Sequence, residues 1–359
     1  MSNQSPITSL SYNAVKRSKP YALYLFLFLM LYYAVASISK YEALDLSRYY
    51  EEAFDNVRDY TLSSLIVTRF YLWAKYDFIY QVILYIAVIW GVPLNLVTTF
   101  FLYVYYRVVA KFTHTIYKGK IDFFVMVVIL LITPLTWSIE ISRTLTAIVF
   151  LYSVVVFYLR KKWFLVALFS ILCGLTHFPT LMYLMIFACC IPFKTVKIPS
   201  KVVLIAIFLF FVIGLIMPAT IQTIMALLLS DDISLSYAHY VTDGIKSFWT
   251  IDGLGYGDRL PCAFAMVYSI VLLMLNRKQG YDMKVLFVLT VMLFFFTNSS
   301  YFFVERTMMV MPLFLGWNVA TIFQNGTQRD KQKICFLSMI GIIPILLHFY
   351  AYRETYLLF

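Results

Sequence analysis

The sequence predicts an all-α, polytopic transmembrane protein of about eleven spans, forming a single integral membrane domain over residues 1–359. Composition is the first reason. Hydrophobic residues make up 62% of the chain and charged residues 13%, against roughly 25% charged in an ordinary soluble domain. Mean hydropathy is +0.82. So large an apolar excess has to meet lipid. The second reason is spacing: apolar stretches recur at the length a bilayer asks for, ~20 residues per helical crossing. The third is the sorting of basic residues between alternate loops.

The N-terminus is polar, then basic at Lys16, Arg17 and Lys19, then strongly apolar over 21–38. It carries no small-residue cleavage site, so this segment reads as a signal anchor. A densely charged loop, 39–92, follows. Within it, Glu42, Asp45, Arg48, Glu52, Asp55 and Asp59 recur at steps of three and four and share one helical face. Leu46, Tyr50, Ala53 and Val57 form another. That pattern suits a helix lying on the membrane surface, apolar side down, or a solvated loop helix. Phe78–Trp90 is apolar but short and ends at Gly91-Val92-Pro93, which predicts a re-entrant or interfacial helix. Further spans are expected near 93–110, 121–137, 143–159, 163–177, 179–193 and 202–219. A second long loop, 220–260, precedes spans near 261–275, 284–299, 307–323 and 334–350.

With the N-terminus in the cytoplasm, the inner loops hold nineteen of the 29 basic residues. Only Asp122, Asp282 and Asp330 offset them, whereas the outer side carries a net negative charge. Every inner loop is basic, as the positive-inside rule requires, and the C-terminus then lies outside. The formal charge of +11 is thus a topology signal and gives no reason to expect nucleic acid as a partner. Cys173, Cys189, Cys190, Cys262 and Cys335 show no CxxC spacing and read as helix-packing residues. His114, His177, His239 and His348 are scattered. Neither set suggests a metal site, and no cofactor is expected. Both long loops, 39–92 and 220–260, face outward, so function is expected there.

Arginines on the outer side run against the charge bias and need a reason. Arg143 follows Ser138-Ile-Glu140-Ile-Ser142, Arg259 follows Asp258, and Arg306 follows Glu305. Each stands at the outer N-terminus of a span. A helix N-terminus favours an anion, so a cation there is unfavourable alone. The placement makes sense around a shared anion held by backbone N–H groups and guanidinium forks, such as a diphosphate headgroup. The alternative is that each pairs with its acidic neighbour or reaches toward lipid phosphates. His177, between Gly174-Leu-Thr176 and Phe178-Pro179, could donate to a phosphate oxygen, move a proton, or serve structure alone. The stretch from His239 to Arg259 mixes aromatics, Trp249 among them, with carboxylates including Asp258. Such mixtures bind sugars, although aromatic side chains also populate membrane belts. Gly253, Gly255 and Gly257 follow no strand and read as a turn.

With these residues in view, the chain resembles the EpsG/Wzy type of bacterial O-antigen or exopolysaccharide repeat-unit polymerase. Asp45-x-x-Arg48-Tyr49-Tyr50, the Asp77–Trp90 segment, Ser142-Arg143 with Ala147 and Phe150, Gly174-Leu-Thr-His177-Phe178 and Glu305-Arg306 carry the resemblance in order along nearly the whole chain. The loop 220–260 matches nothing recognisable. The resemblance implies a GT-C-like helical fold in the bacterial inner membrane with a periplasmic active face. It implies a glycosyltransferase that joins undecaprenyl-diphosphate-linked repeat units, among membrane lipids and alongside a chain-length regulator protein. Arg48, Arg143, His177, Arg259 and Arg306 would then hold the diphosphate. Asp45 is the first choice of base, with Glu140, Glu305 and Asp258 as rivals, and Tyr49, Trp249 and Asp258 would meet sugar. An O-antigen ligase, or a flippase of the lipid-linked unit, is the competing reading.

Overall fold

The computed structural model describes residues 44–72, 77–117, 121–134, 137, 142–191, 199–216, 248–249, 253–276, 290–292, 298 and 301–353. The expected spans 21–38 and, but for four residues, 284–299 lie outside these residues, as does most of the loop 220–260. Among the described residues there is no strand. The helices are α1 (Leu44–Asp59), α2 (Leu62–Tyr71), α3 (Phe78–Ile89), α4 (Leu94–Ile116), α5 (Phe123–Leu131), α6 (Ser142–Leu159), α7 (Trp163–Thr176), α8 (Leu181–Cys190), α9 (Ser200–Ile216), α10 (Tyr256–Leu275), α11 (Tyr301–Asn325) and α12 (Gln328–Ala351). Four of them, α6, α10, α11 and α12, are long and apolar enough to cross a membrane.

Helix α11 is the axis of the core. Of its apolar window 89% is buried, against 28% for α12, whose Phe336, Ile343 and Leu346 face outward. Pro312 lies inside α11. A proline has no N–H to give the carbonyl four residues back, here that of Met308. Thr133 donates its hydroxyl to that carbonyl at 3.0 Å. The neighbouring carbonyl of Met309 accepts from Tyr105 of α4 at 2.8 Å and from Tyr152 of α6. Three flanking segments thus close on the proline site with hydroxyls where helix hydrogen bonding is interrupted. Helix α5 stops at Leu131, short of the expected 137, because Pro134 disfavours helical backbone at the residue before it, and Thr133 is thereby available to α11.

The same physics places the start of α10. The helix begins at Tyr256, five residues before the expected 261, and takes Pro261 into its second turn. The carbonyl left without its donor is that of Gly257, and His348 of α12 supplies Nδ1–H at 3.0 Å. Gly257 is needed for that approach. A Cβ there would lie 2.6 Å from the Cβ of Ala351, an atom no rotamer can move aside.

Helices α1, α2 and α3 form a separate layer tied together by polar side chains. Arg69 donates to Asn56 at 2.8 Å, Asn56 to Gln81 at 3.4 Å, and Gln81 to Glu52 at 3.0 Å. Tyr50 donates to the Val92 carbonyl at 2.6 Å and Tyr85 to the Tyr60 carbonyl at 2.9 Å. The buried side of α1 is therefore Tyr49, Ala53 and Asn56, rotated from the expected stripe of Leu46, Tyr50, Ala53 and Val57. It turns toward α3, because Asn56 and Glu52 find partners on Gln81 that no lipid could offer. Helix α3, at twelve residues, is about 18 Å long and too short to cross a bilayer core.

A candidate active site around Asp77

Asp77 stands immediately before α3 with φ 50° and ψ 60°, in the left-handed region. Aspartate tolerates that backbone better than most residues, but such positions persist only where the surroundings enforce them, and they gather at functional sites. Its side chain does not cap its own helix. It is 2% exposed and bridges two residues from distant parts of the chain. One oxygen, Oδ2, accepts from the Arg143 guanidinium at the start of α6. The other, Oδ1, lies 3.0 Å from Nδ1 of His177, which follows α7. Because the carboxylate can only accept, Nδ1 carries the proton and Nε2 holds a lone pair. Nε2 is buried and has no hydrogen-bond partner.

The shelf beneath this trio is aromatic. The Arg143 guanidinium lies 4.5 Å from the ring centroid of Tyr49. Tyr49 packs edge-on against Tyr80 at 5.8 Å, and the Tyr80 hydroxyl bonds to Ser142, the residue before Arg143. Helices α1, α3 and α6 thus each contribute one wall. Burial alone would raise the Asp77 carboxyl. Arg143 and His177 pull it down more strongly, so it is held below the ordinary 3.8 and stays ionised. Asp77 and Arg143 balance in charge, and a second proton on His177 would place an excess positive charge in a buried setting.

His177 takes its position from a broken helix. Its backbone is extended, with φ −156° and ψ 107°, and a single 3-10 turn, Phe178–Thr180, leads from it into α8. Pro179 initiates that turn. Arg306, half-buried in the second turn of α11, is close enough for its charge to act on His177 and on Tyr183. Tyr183 in turn bonds to Thr307 at 2.9 Å, which joins α8 to α11.

Of the residues singled out from sequence, the structure brings Tyr49, Arg143 and His177 together around Asp77, with Arg306 nearby. Arg143 does pair with a carboxylate, that of Asp77, 66 positions away in the chain. Glu140 lies outside the described residues, as do the side chains of Asp45 and Arg48, whose backbone is part of α1. Asp258 and Arg259 occupy the first turn of α10, and Asp258 is fully buried. Its Oδ2 accepts from Tyr352, and its Oδ1 is 3.8 Å from Nδ1 of His348. Glu305 is also buried, and it and Asp258 both act electrostatically on Cys262. Trp249 is half-buried and packs edge-on against Phe248, in an aromatic cluster with Trp137 and Tyr301. Asp77 itself drew no functional reading from sequence beyond marking the start of a short helix. The available signal was a single carboxylate at the head of an apolar stretch too short to span.

No family model matches this chain, and searches of curated proteins and of solved structures return no similar protein.

Proposed function

We propose that this chain is a membrane glycosyltransferase that polymerises lipid-diphosphate-linked oligosaccharide repeat units at the membrane face bearing the Asp77 cluster. The observation that carries this reading is the buried Asp77–His177 pair. Its imidazole has Nδ1–H engaged and Nε2 unengaged, and it stands within reach of the charges of Arg143 and Arg306, near the starts of α6 and α11. In the proposed reaction a hydroxyl of the incoming unit attacks the anomeric carbon of the growing chain. The bond from that carbon to the lipid diphosphate breaks, and its electron pair leaves with the diphosphate. The hydroxyl proton passes to Nε2 of His177 as general base, and Asp77 orients the ring and balances the imidazolium that forms. Arg306, whose charge reaches His177, is the cation we assign to the departing diphosphate. Arg143, its charge already offset by Asp77, fixes the geometry of the pair.

The test is an electrophoretic profile of surface glycan from cells lacking the chain, complemented with wild type or with Arg143→Ala. A polymerase predicts loss of the long ladder with a single core-plus-one-unit band remaining, and no rescue by the variant. Loss of every glycan-bearing band would instead point to a flippase or a ligase. An unchanged ladder in the deletion would require the other polysaccharides of the cell to be assayed, and no change in any of them would defeat the reading.

A further inference from the structure

Thr180 ends the 3-10 turn that begins just after His177, and its side chain is 1% exposed. Its Oγ1 is buried with no hydrogen-bond partner, like Nε2 of His177 three residues earlier. Four buried hydroxyls in these helices, those of Thr113, Thr146, Thr176 and Ser269, are satisfied by donating to the carbonyl four residues back. For Thr180 that carbonyl belongs to Thr176, across the extended backbone of His177, and the break in the helix removes the route. Leaving a hydroxyl buried and unpaired is unfavourable, and an apolar residue of equal shape would avoid that cost. Two orphan polar atoms on one turn, beside an ion pair, mark a place built for a group from outside the chain.

The donor and acceptor pattern defines that group. Nε2 offers a lone pair, and Oγ1–H offers a proton. The complementary ligand donates to one and accepts from the other, which an alcohol does and a phosphate oxyanion does not. We propose that His177 Nε2 and Thr180 Oγ1 together bind a single sugar hydroxyl, that of the acceptor unit, and that Thr180 is a substrate-positioning residue of the reaction. This rests on the glycosyltransferase reading above, in which His177 takes the proton of that hydroxyl.

The experiment compares wild type, Thr180→Val, Thr180→Ser and Asp77→Asn as full-length chains in lipid nanodiscs. The substrate is the lipid-linked unit extracted from cells lacking the chain, and thermal unfolding is recorded alongside. Valine should raise the KM for acceptor or lower kcat/KM by about tenfold, the worth of one hydrogen bond, while Tm stays level or rises. Serine should restore activity. If Thr180→Val keeps full activity while Asp77→Asn is inactive, the hydroxyl site is wrong and the catalytic reading survives. If valine lowers Tm along with activity, Thr180 is structural and the proposal fails. If Asp77→Asn is as active as wild type, the catalytic role of the Asp77–His177 pair falls and the proposal with it, and if wild type itself transfers no sugar the glycosyltransferase reading falls.

Discussion

At the scale of single residues, the site is governed by what burial does to charge. Asp77 and Arg143 lie at 2% and 12% side-chain exposure, so neither tolerates the loss of the other. Removing one member of a buried pair costs about 3–5 kcal/mol, because the survivor is left uncompensated. Asp77→Asn keeps the size and the tolerance of left-handed backbone while deleting the charge. It should abolish glycan polymerisation and lower the unfolding free energy toward that range, both measurable on one preparation by product gel and chemical denaturation. Tyr49→Leu removes the face on which Arg143 rests. A smaller stability loss of roughly 0.5–2 kcal/mol is expected, with activity reduced but not lost. A Tyr49→Leu chain as inactive as Asp77→Asn would mean that Tyr49 does more than support the guanidinium.

At the scale of elements, two prolines set the geometry, and each is answered by a side chain from a neighbouring segment. Thr133 compensates the Met308 carbonyl opposite Pro312. Thr133→Val should therefore cost about 1–3 kcal/mol in the wild-type background. In a Pro312→Ala background the backbone N–H returns and the same substitution should cost much less, so the two changes should be non-additive in a double-mutant cycle. Additive losses would show that Thr133 and Pro312 act independently. Gly257 sets the approach of α10 to α12. Gly257→Ala forces the backbones apart and should destabilise by about 1–3 kcal/mol, with the loss read as a lower midpoint of thermal unfolding.

At the scale of the whole molecule, the layer of α1 to α3 is fastened to the core helices through the charge on Asp77, and that fastening depends on pH. A carboxyl held below its unfolded value contributes fully above that unfolded value and loses its contribution as pH falls through the depressed folded one. The stability gap between wild type and Asp77→Asn should thus be level through neutral pH and close only below the ordinary 3.8. Denaturation series at stepped acid pH would check this, and a gap that closed near neutrality would mean another group controls the junction.

The sequence by itself determined the class of the molecule and the positions of most of its helices. The expected stretches 143–159, 163–177 and 202–219 fall on α6, α7 and α9 to within a few residues. Lipid imposes long runs of apolar side chains, and such runs are legible one residue at a time. Arg143 and His177 also stood out, because a polar residue at the end of an apolar helix is conspicuous in one dimension. Only the tertiary structure decided which group they meet. Asp77 is 66 residues from one and 100 from the other, and no local pattern announces a partner at that distance. The buried face of α1, the role of His348 and the orphaned hydroxyl of Thr180 were equally hidden. Each depends on which backbone or side-chain groups a neighbouring helix brings within about 3 Å, and chain spacing carries no record of that.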